Sequence, residues 1–140
     1  MTPKQIALVN ESWNSVETLS DAAAQLFYAR LFALDPSLRP MFKGEIRDQG
    51  RKLLAIINVA VRGLARIETL VPVIEALGRR HAGYGVEDRH YVTVAEALLW
   101  TLQQALGDRF TAEVREAWTA AYGLLAETMQ GAARSEAKAA

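Results

Sequence analysis

The sequence predicts a single all-α domain of 140 residues. Three observations carry this. Apolar residues recur at three- and four-residue steps along nearly every long segment, residues that start and stop helices separate those segments, and no segment keeps the alternation of a strand. Val92-Thr93-Val94 is β-prone, but it lies inside a longer helical pattern of Tyr91, Val94, Ala95, Leu98, Leu99 and Leu102. The apolar fraction of 51% and charged fraction of 23% are those of an ordinary globular chain, one that buries a little under ~70% of its unfolded surface.

Thr2, Pro3 and Gln5 form a capping-box start with proline at the first helical position. Ile6, Val9, Trp13 and Val16 then make one apolar stripe. Ser20-Asp21 opens a second helix containing Leu26, Phe27, Leu31 and Phe32, and Asp35-Pro36 stops it, because a residue before proline avoids the helical region. Pro36 to Phe42 reads as a short helical turn, and Lys43-Gly44 as a break. A long helix is expected from about Glu45 to Arg66, with a broad apolar face of Leu53, Ile56, Ile57, Ala60, Val61 and Leu64. A shorter one follows from Leu70 to Arg80, with Pro72 near its start and Arg79-Arg80 at its C-terminal dipole end. Gly83 and Gly85 flank Tyr84 in a loop. Helices from about Arg89 to Leu106 and from Thr111 to about Gly131 complete a domain over residues 1–131, and residues 132–140 read as a flexible tail.

Composition removes several function classes. Lys and Arg together count 16, as do Asp and Glu, so the net charge is zero and a basic nucleic-acid clamp is not expected. The absence of cysteine removes thiolate zinc sites, iron–sulfur clusters and cysteine nucleophiles. Gly83-Tyr84-Gly85 lacks the strand, further glycine and lysine of a phosphate loop, and no serine lies in a Gly-x-Ser-x-Gly elbow. The opening Met-Thr-Pro-Lys-Gln lacks the apolar core of a signal peptide, and no apolar stretch is long enough to span a bilayer. The expectation is a soluble cytoplasmic protein without membrane or nucleic-acid partners.

The candidate chemistry is sparse. His81 and His90 are the two histidines, and each by itself reads as a helix-end or solvated residue. Tyr28 reads as a core ring whose hydroxyl reaches water, Gln49 as a solvated residue of an early helical turn, and Phe42 as a corner plug of the core. Their order and spacing carry more than any of them alone.

The matching pieces are Leu-Phe-Tyr-Ala-Arg-Leu-Phe at residues 26–32, Asp35-Pro36 through Met41-Phe42, and Gln49 with Leu53. Arg80-His81, His90-Tyr91, Ala117-Trp118 and Ala121-Tyr122-Gly123 continue the series, with 32 residues from Gln49 to His81. From about Gln5 to Met129 the chain resembles bacterial single-domain globins and the haem domain of flavohaemoglobins. The resemblance implies a three-over-three helical sandwich around a haem pocket and haem b (iron protoporphyrin IX) as cofactor. It makes His81 the iron ligand, with its other ring N–H held by a carbonyl one turn back, for which Leu77 is the candidate. Phe42 becomes the ring stacked on the haem, Leu53 the apolar roof over the iron, Val94 a further haem contact, and Lys52 a partner for a propionate. Tyr28 and Gln49 become distal donors that stabilise the partial negative charge of bound dioxygen. Tyr91 matches a proximal tyrosine of flavohaemoglobins, but the glutamate paired with it there falls on Ala133 here, with neither Glu127 nor Glu136 in register.

The implied function is reversible, high-affinity binding of dioxygen, nitric oxide and carbon monoxide by a monomer or weak homodimer. Nitric oxide dioxygenation is expected to need a separate reductase, since the sequence shows no flavin or nicotinamide domain after its last globin helix. The rival readings are a non-catalytic gas sensor or oxygen store, and a haem-free globin-fold interaction module.

Overall fold

A computed structural model of the chain describes residues 1–139, with side chains through residue 136. Six α-helices carry it: α1 (Pro3–Glu17), α2 (Ser20–Leu34), α3 (Ile46–Arg62), α4 (Ile67–Gly83), α5 (Asp88–Leu106) and α6 (Ala112–Ala139). Short 3-10 turns at Pro36–Met41, Leu64–Arg66 and Gly107–Arg109 join them, and the described residues contain no strand. None of these helices is long and apolar enough to cross a membrane.

Local chemistry explains most boundaries. Thr2 Oγ1 accepts from the Gln5 N–H at 3.1 Å while Gln5 Oε1 accepts from the Thr2 N–H at 3.0 Å, the reciprocal cap expected at the start of α1. α2 ends at Asp35, which is extended at φ −146° ahead of Pro36 and whose carboxylate accepts from the Ser37 N–H at 3.0 Å. Gly44 takes φ +84° in the turn before α3, a region where a side chain would be strained.

Four boundaries differ from expectation, one of them at Gly83, where α4 ends in place of the expected stop at Arg80, so Gly83 is helical rather than part of the loop. The helix predicted over Glu45 to Arg66 stops at Gly63, and Leu64–Arg66 tightens into a 3-10 turn. A Cβ on Gly63 would lie 2.3 Å from Leu70 Cδ1, so the chain reverses there against the start of the next helix. That helix, α4, begins at Ile67 rather than Leu70, which places Pro72 inside it rather than near its start. α6 continues past Gly131 to Ala139, with Ala132 buried. Of the expected flexible tail, Ala140 lies outside the described residues.

Two clusters form the core. One joins Val9, Trp13 and Val16 of α1 to Val61, Leu64, Leu102, Leu106, Ala117 and Trp118. Its indoles meet at 6.1 Å, and their N–H groups are satisfied by Asn58 Oδ1 at 3.0 Å and Ser12 Oγ at 2.8 Å. The second joins Phe27, Tyr28 and Leu31 of α2 to Leu38 and Ala97, with Phe32, Phe42, Leu53, Val94 and Leu98 packed around them.

Helices α1, α3 and α4 lie across α2, α5 and α6. α1 and α4 rest on α6, α3 crosses α2, and α2 pairs with α5. Gly50 permits the α2–α3 crossing, since a Cβ there would stand only 2.8 Å from Ala24 Cβ. α3 and α4 make little direct contact, and an apolar crevice opens between them.

Candidate functional site

The last turn of α4 presents His81, half-buried, with its Nδ1 2.7 Å from the carbonyl oxygen of Leu77. A carbonyl can only accept, so Nδ1 carries a proton, and in the neutral ring the lone pair is then on Nε2. Nε2 makes no hydrogen bond among the described residues. This is the backbone bond expected from a carbonyl one turn back, and it fixes both tautomer and ring angle.

The crevice beside this helix is lined by Ile56 and Val59 of α3, Val73 and Leu77 of α4, and Leu125 and Met129 of α6. Ile56, Val59 and Val73 remain 42%, 49% and 49% exposed. Large apolar side chains on two facing helices thus stand against space rather than against each other.

Tyr28 is buried in α2 against the edges of Phe27 and Phe42, at ring distances of 5.1 and 5.3 Å. Its hydroxyl donates to the backbone carbonyl of Gln49 at 3.3 Å rather than reaching water. Burial pushes the phenol up to about 12, so it is a neutral donor at any physiological pH. The Gln49 amide donates to the Lys43 carbonyl at 2.8 Å. The two expected distal residues are therefore neighbours, each with a donor engaged by a protein carbonyl.

Phe42, Leu53 and Val94 pack on the same apolar cluster as Tyr28. Lys52 is exposed and makes no ion pair among the described residues. Tyr91, in the first turn of α5, is half-buried, and its carbonyl accepts from the Tyr122 hydroxyl at 2.6 Å. Burial, and then the charge of Asp88 one turn back, push the Tyr91 phenol up. Asp88 itself bonds Gln130 at 3.1 Å and pairs with Arg134 at 3.6 Å, so the carboxylate beside Tyr91 comes from α5. Ala133 is half-buried on α6, while Glu127 and Glu136 are exposed.

His90 is not the solvated or dipole-paired residue that its position suggested. It is 2% exposed, and its Nδ1 accepts from the Glu87 N–H at 2.9 Å. Its proton therefore sits on Nε2, which is buried without a partner. As a ligand it would have to give up that proton and come out of the core.

The residues fit a haem. The His81 ring stands on α4 with its Nδ1 on the Leu77 carbonyl, one turn from the side chain of Leu77 that lines the apolar crevice between α3 and α4. No cluster of three or more His, Asp or Glu that could hold a bare metal ion occurs among the described residues. Asp88, beside Tyr91, is not among the expected site residues, although its i, i+3 spacing to Tyr91 places the two on one helical face.

Known proteins share this fold. Residues 25–129 match the Globin family model. The chain is 30% identical over 130 residues to a flavohemoprotein of Vibrio cholerae, covering 91% of this chain and 33% of that protein. It is 29% identical over 143 residues to neuroglobin of Danio rerio, covering 92% and 90%. The chain thus spans about a third of the length of the flavohemoproteins it matches. A bacterial globin from Campylobacter jejuni superposes with a TM-score of 0.86 at 22% identity, covering 98% and 99% of the two chains. An engineered carbene transferase derived from a candidate nitric oxide dioxygenase of Rhodothermus marinus gives 0.88 at 24%, covering 99% and 97%. The chain, with its all-α globin fold, belongs to the globin family.

Proposed function

We propose that this protein holds haem b through His81 and reversibly binds dioxygen, nitric oxide and carbon monoxide with high affinity, supporting nitric oxide dioxygenation when a separate reductase supplies electrons. The observation that carries the reading is the Leu77 carbonyl on His81 Nδ1, which leaves the Nε2 lone pair free on the helix that lines an apolar crevice. When bound, the haem supplies gas ligation and electron transfer. His81 would hold the iron, Leu77 would fix the angle of the ring, and Phe42, Leu53 and Val94 would exclude water. Lys52 would meet a propionate at the surface. Tyr28 would donate to a bound gas after leaving the Gln49 carbonyl, and Gln49 after leaving the Lys43 carbonyl. In the dioxygenation, one nitric oxide, one dioxygen and one electron yield one nitrate, and the electron comes from the reductase. We place the protein in the cytoplasm as a monomer or weak homodimer.

A haemin titration followed by reduction and exposure to dioxygen tests this. One-to-one uptake with a stable dioxygen complex supports it, and no specific uptake refutes it. Repeated nitrate formation with a donor reductase supports the catalytic part, and a single turnover refutes that part alone. A second reading, a non-catalytic oxygen store or gas sensor, draws on the neuroglobin match, which spans 90% of that protein, whereas the flavohemoprotein matches span a third of theirs.

A further inference from the structure

We infer that Gly78 is a positioning residue for His81: by lacking a side chain it lets α4 rest on the backbone of α6 at Met129, and that contact sets where the imidazole stands. This deepens the proposed function and rests on the reading of His81 as the iron ligand.

The geometry is specific to one turn. A Cβ on Gly78 would stand 2.2 Å from the Met129 carbonyl oxygen, 2.5 Å from its Cα and 2.7 Å from its carbonyl carbon. All three are backbone atoms of a helix, so none can rotate aside. At Gly63 the same construction meets the end of the Leu70 side chain, which can. Gly78 follows Leu77, whose carbonyl holds His81 Nδ1, and precedes His81 by three residues, so all three share a helical turn. A rigid turn carries its ring wherever its backbone goes.

Little else locates α4. It touches α3 only slightly and packs chiefly on α6. A glycine inside a helix lowers helix stability relative to alanine, and here it permits the close approach on which the packing of α4 depends. Restoring ordinary contact at the Met129 oxygen would move α4 by roughly 1 Å. On the crevice side there is open space rather than another helix to resist that movement.

The test compares the full chain with Gly78→Ala, loaded with haemin and reduced, by the iron–histidine stretching band in resonance Raman and by haem affinity. The expected result is a shifted band, or haem uptake weakened by about tenfold or more, with helix content retained. Gly63→Ala should lower thermal stability without moving the band. Gly78→Ala should also leave the band unmoved in a His81→Gly background supplied with free imidazole, where the ligand no longer belongs to α4. An unchanged band and affinity in folded Gly78→Ala overturns the inference, and so does a band that shifts equally in the His81→Gly background. If Gly78→Ala does not fold, the unaltered protein decides by proton NMR of its carbon monoxide complex. The Hα protons of Gly78 and Met129 must stay in close contact, and their separation when haem is bound overturns the inference. Failure of the underlying reading looks different, because the unaltered chain would then show no iron–histidine band.

Discussion

Helix α4 offers an imidazole with one nitrogen bonded to Leu77 O and the other free, whereas α2 and α3 offer Tyr28 and Gln49 with donors already given to protein carbonyls. On the proposed reading, His81 on the α4 wall would need no rearrangement before forming a ligand bond, since its existing hydrogen bond to Leu77 O would support it. On the same reading, Tyr28 and Gln49 on the α2–α3 wall would each have to break one hydrogen bond to make another, so only the difference would reach a bound gas. The difference separates Tyr28 from Gln49. The phenol bond is long at 3.3 Å and buried, and little is lost on leaving it. The Gln49 amide bond is 2.8 Å long and near the surface, and a ligand must outcompete a good existing partner.

The largest effect should come from the α4 wall. His81→Ala is expected to weaken haem uptake at least about 100-fold, beyond the 10–100-fold that loss of a supporting hydrogen bond costs. A haemin titration reads this, and uptake unchanged by the substitution would remove the contrast between the walls. His90 is no ready substitute, because it is buried with its Nδ1 bonded to the Glu87 N–H.

Next comes Tyr28→Phe, expected to speed dioxygen release about 10- to 100-fold, the effect of losing a hydrogen bond to a charged acceptor of ~1.5–3 kcal/mol. Stopped-flow release from the reduced protein measures it. Gln49→Leu should change the same rate by about threefold or less, since its amide gives up a comparable bond to Lys43 O in order to act. A Gln49 effect larger than the Tyr28 effect would reverse the ranking drawn from the two distances.

The smallest expected effect is with pH. Burial raises the Tyr28 phenol from 10.0 to about 12, so folding favours its protonated form. That contribution to stability is complete below 10.0 and fades as pH rises through about 12. Dioxygen release should therefore show no step from Tyr28 between about pH 6 and pH 10, and a step inside that range would mean that the phenol is more solvated than its surroundings here allow.

Much of the fold was legible because its signals are short-range. The Thr2–Gln5 cap, the stop at Asp35-Pro36 and the apolar stripes act over three or four residues, and the structure follows them. The stop at Gly63 was missed because the apolar pattern runs on through Leu64, while the reversal depends on Leu70 packing back against the glycine. Of the site, the His81–Leu77 bond was expected from the resemblance that makes His81 a ligand, and the i, i−4 reach of one helical turn named the carbonyl. The bond from the Gln49 amide to Lys43 O was not, because it depends on the path of the Lys43-Gly44 turn.

The sequence by itself determined the helical class and most helix ends, since periodicity and caps are local, while the candidate site residues came from its resemblance to globins. Only the tertiary structure showed that His90 is buried with its Nδ1 occupied, whereas His81 is half-buried with its Nδ1 on the Leu77 carbonyl. It alone revealed the approach of Gly78 to Met129 and the gap between α3 and α4. Those features arise from how helices distant in sequence share space, and a local pattern carries no term for that.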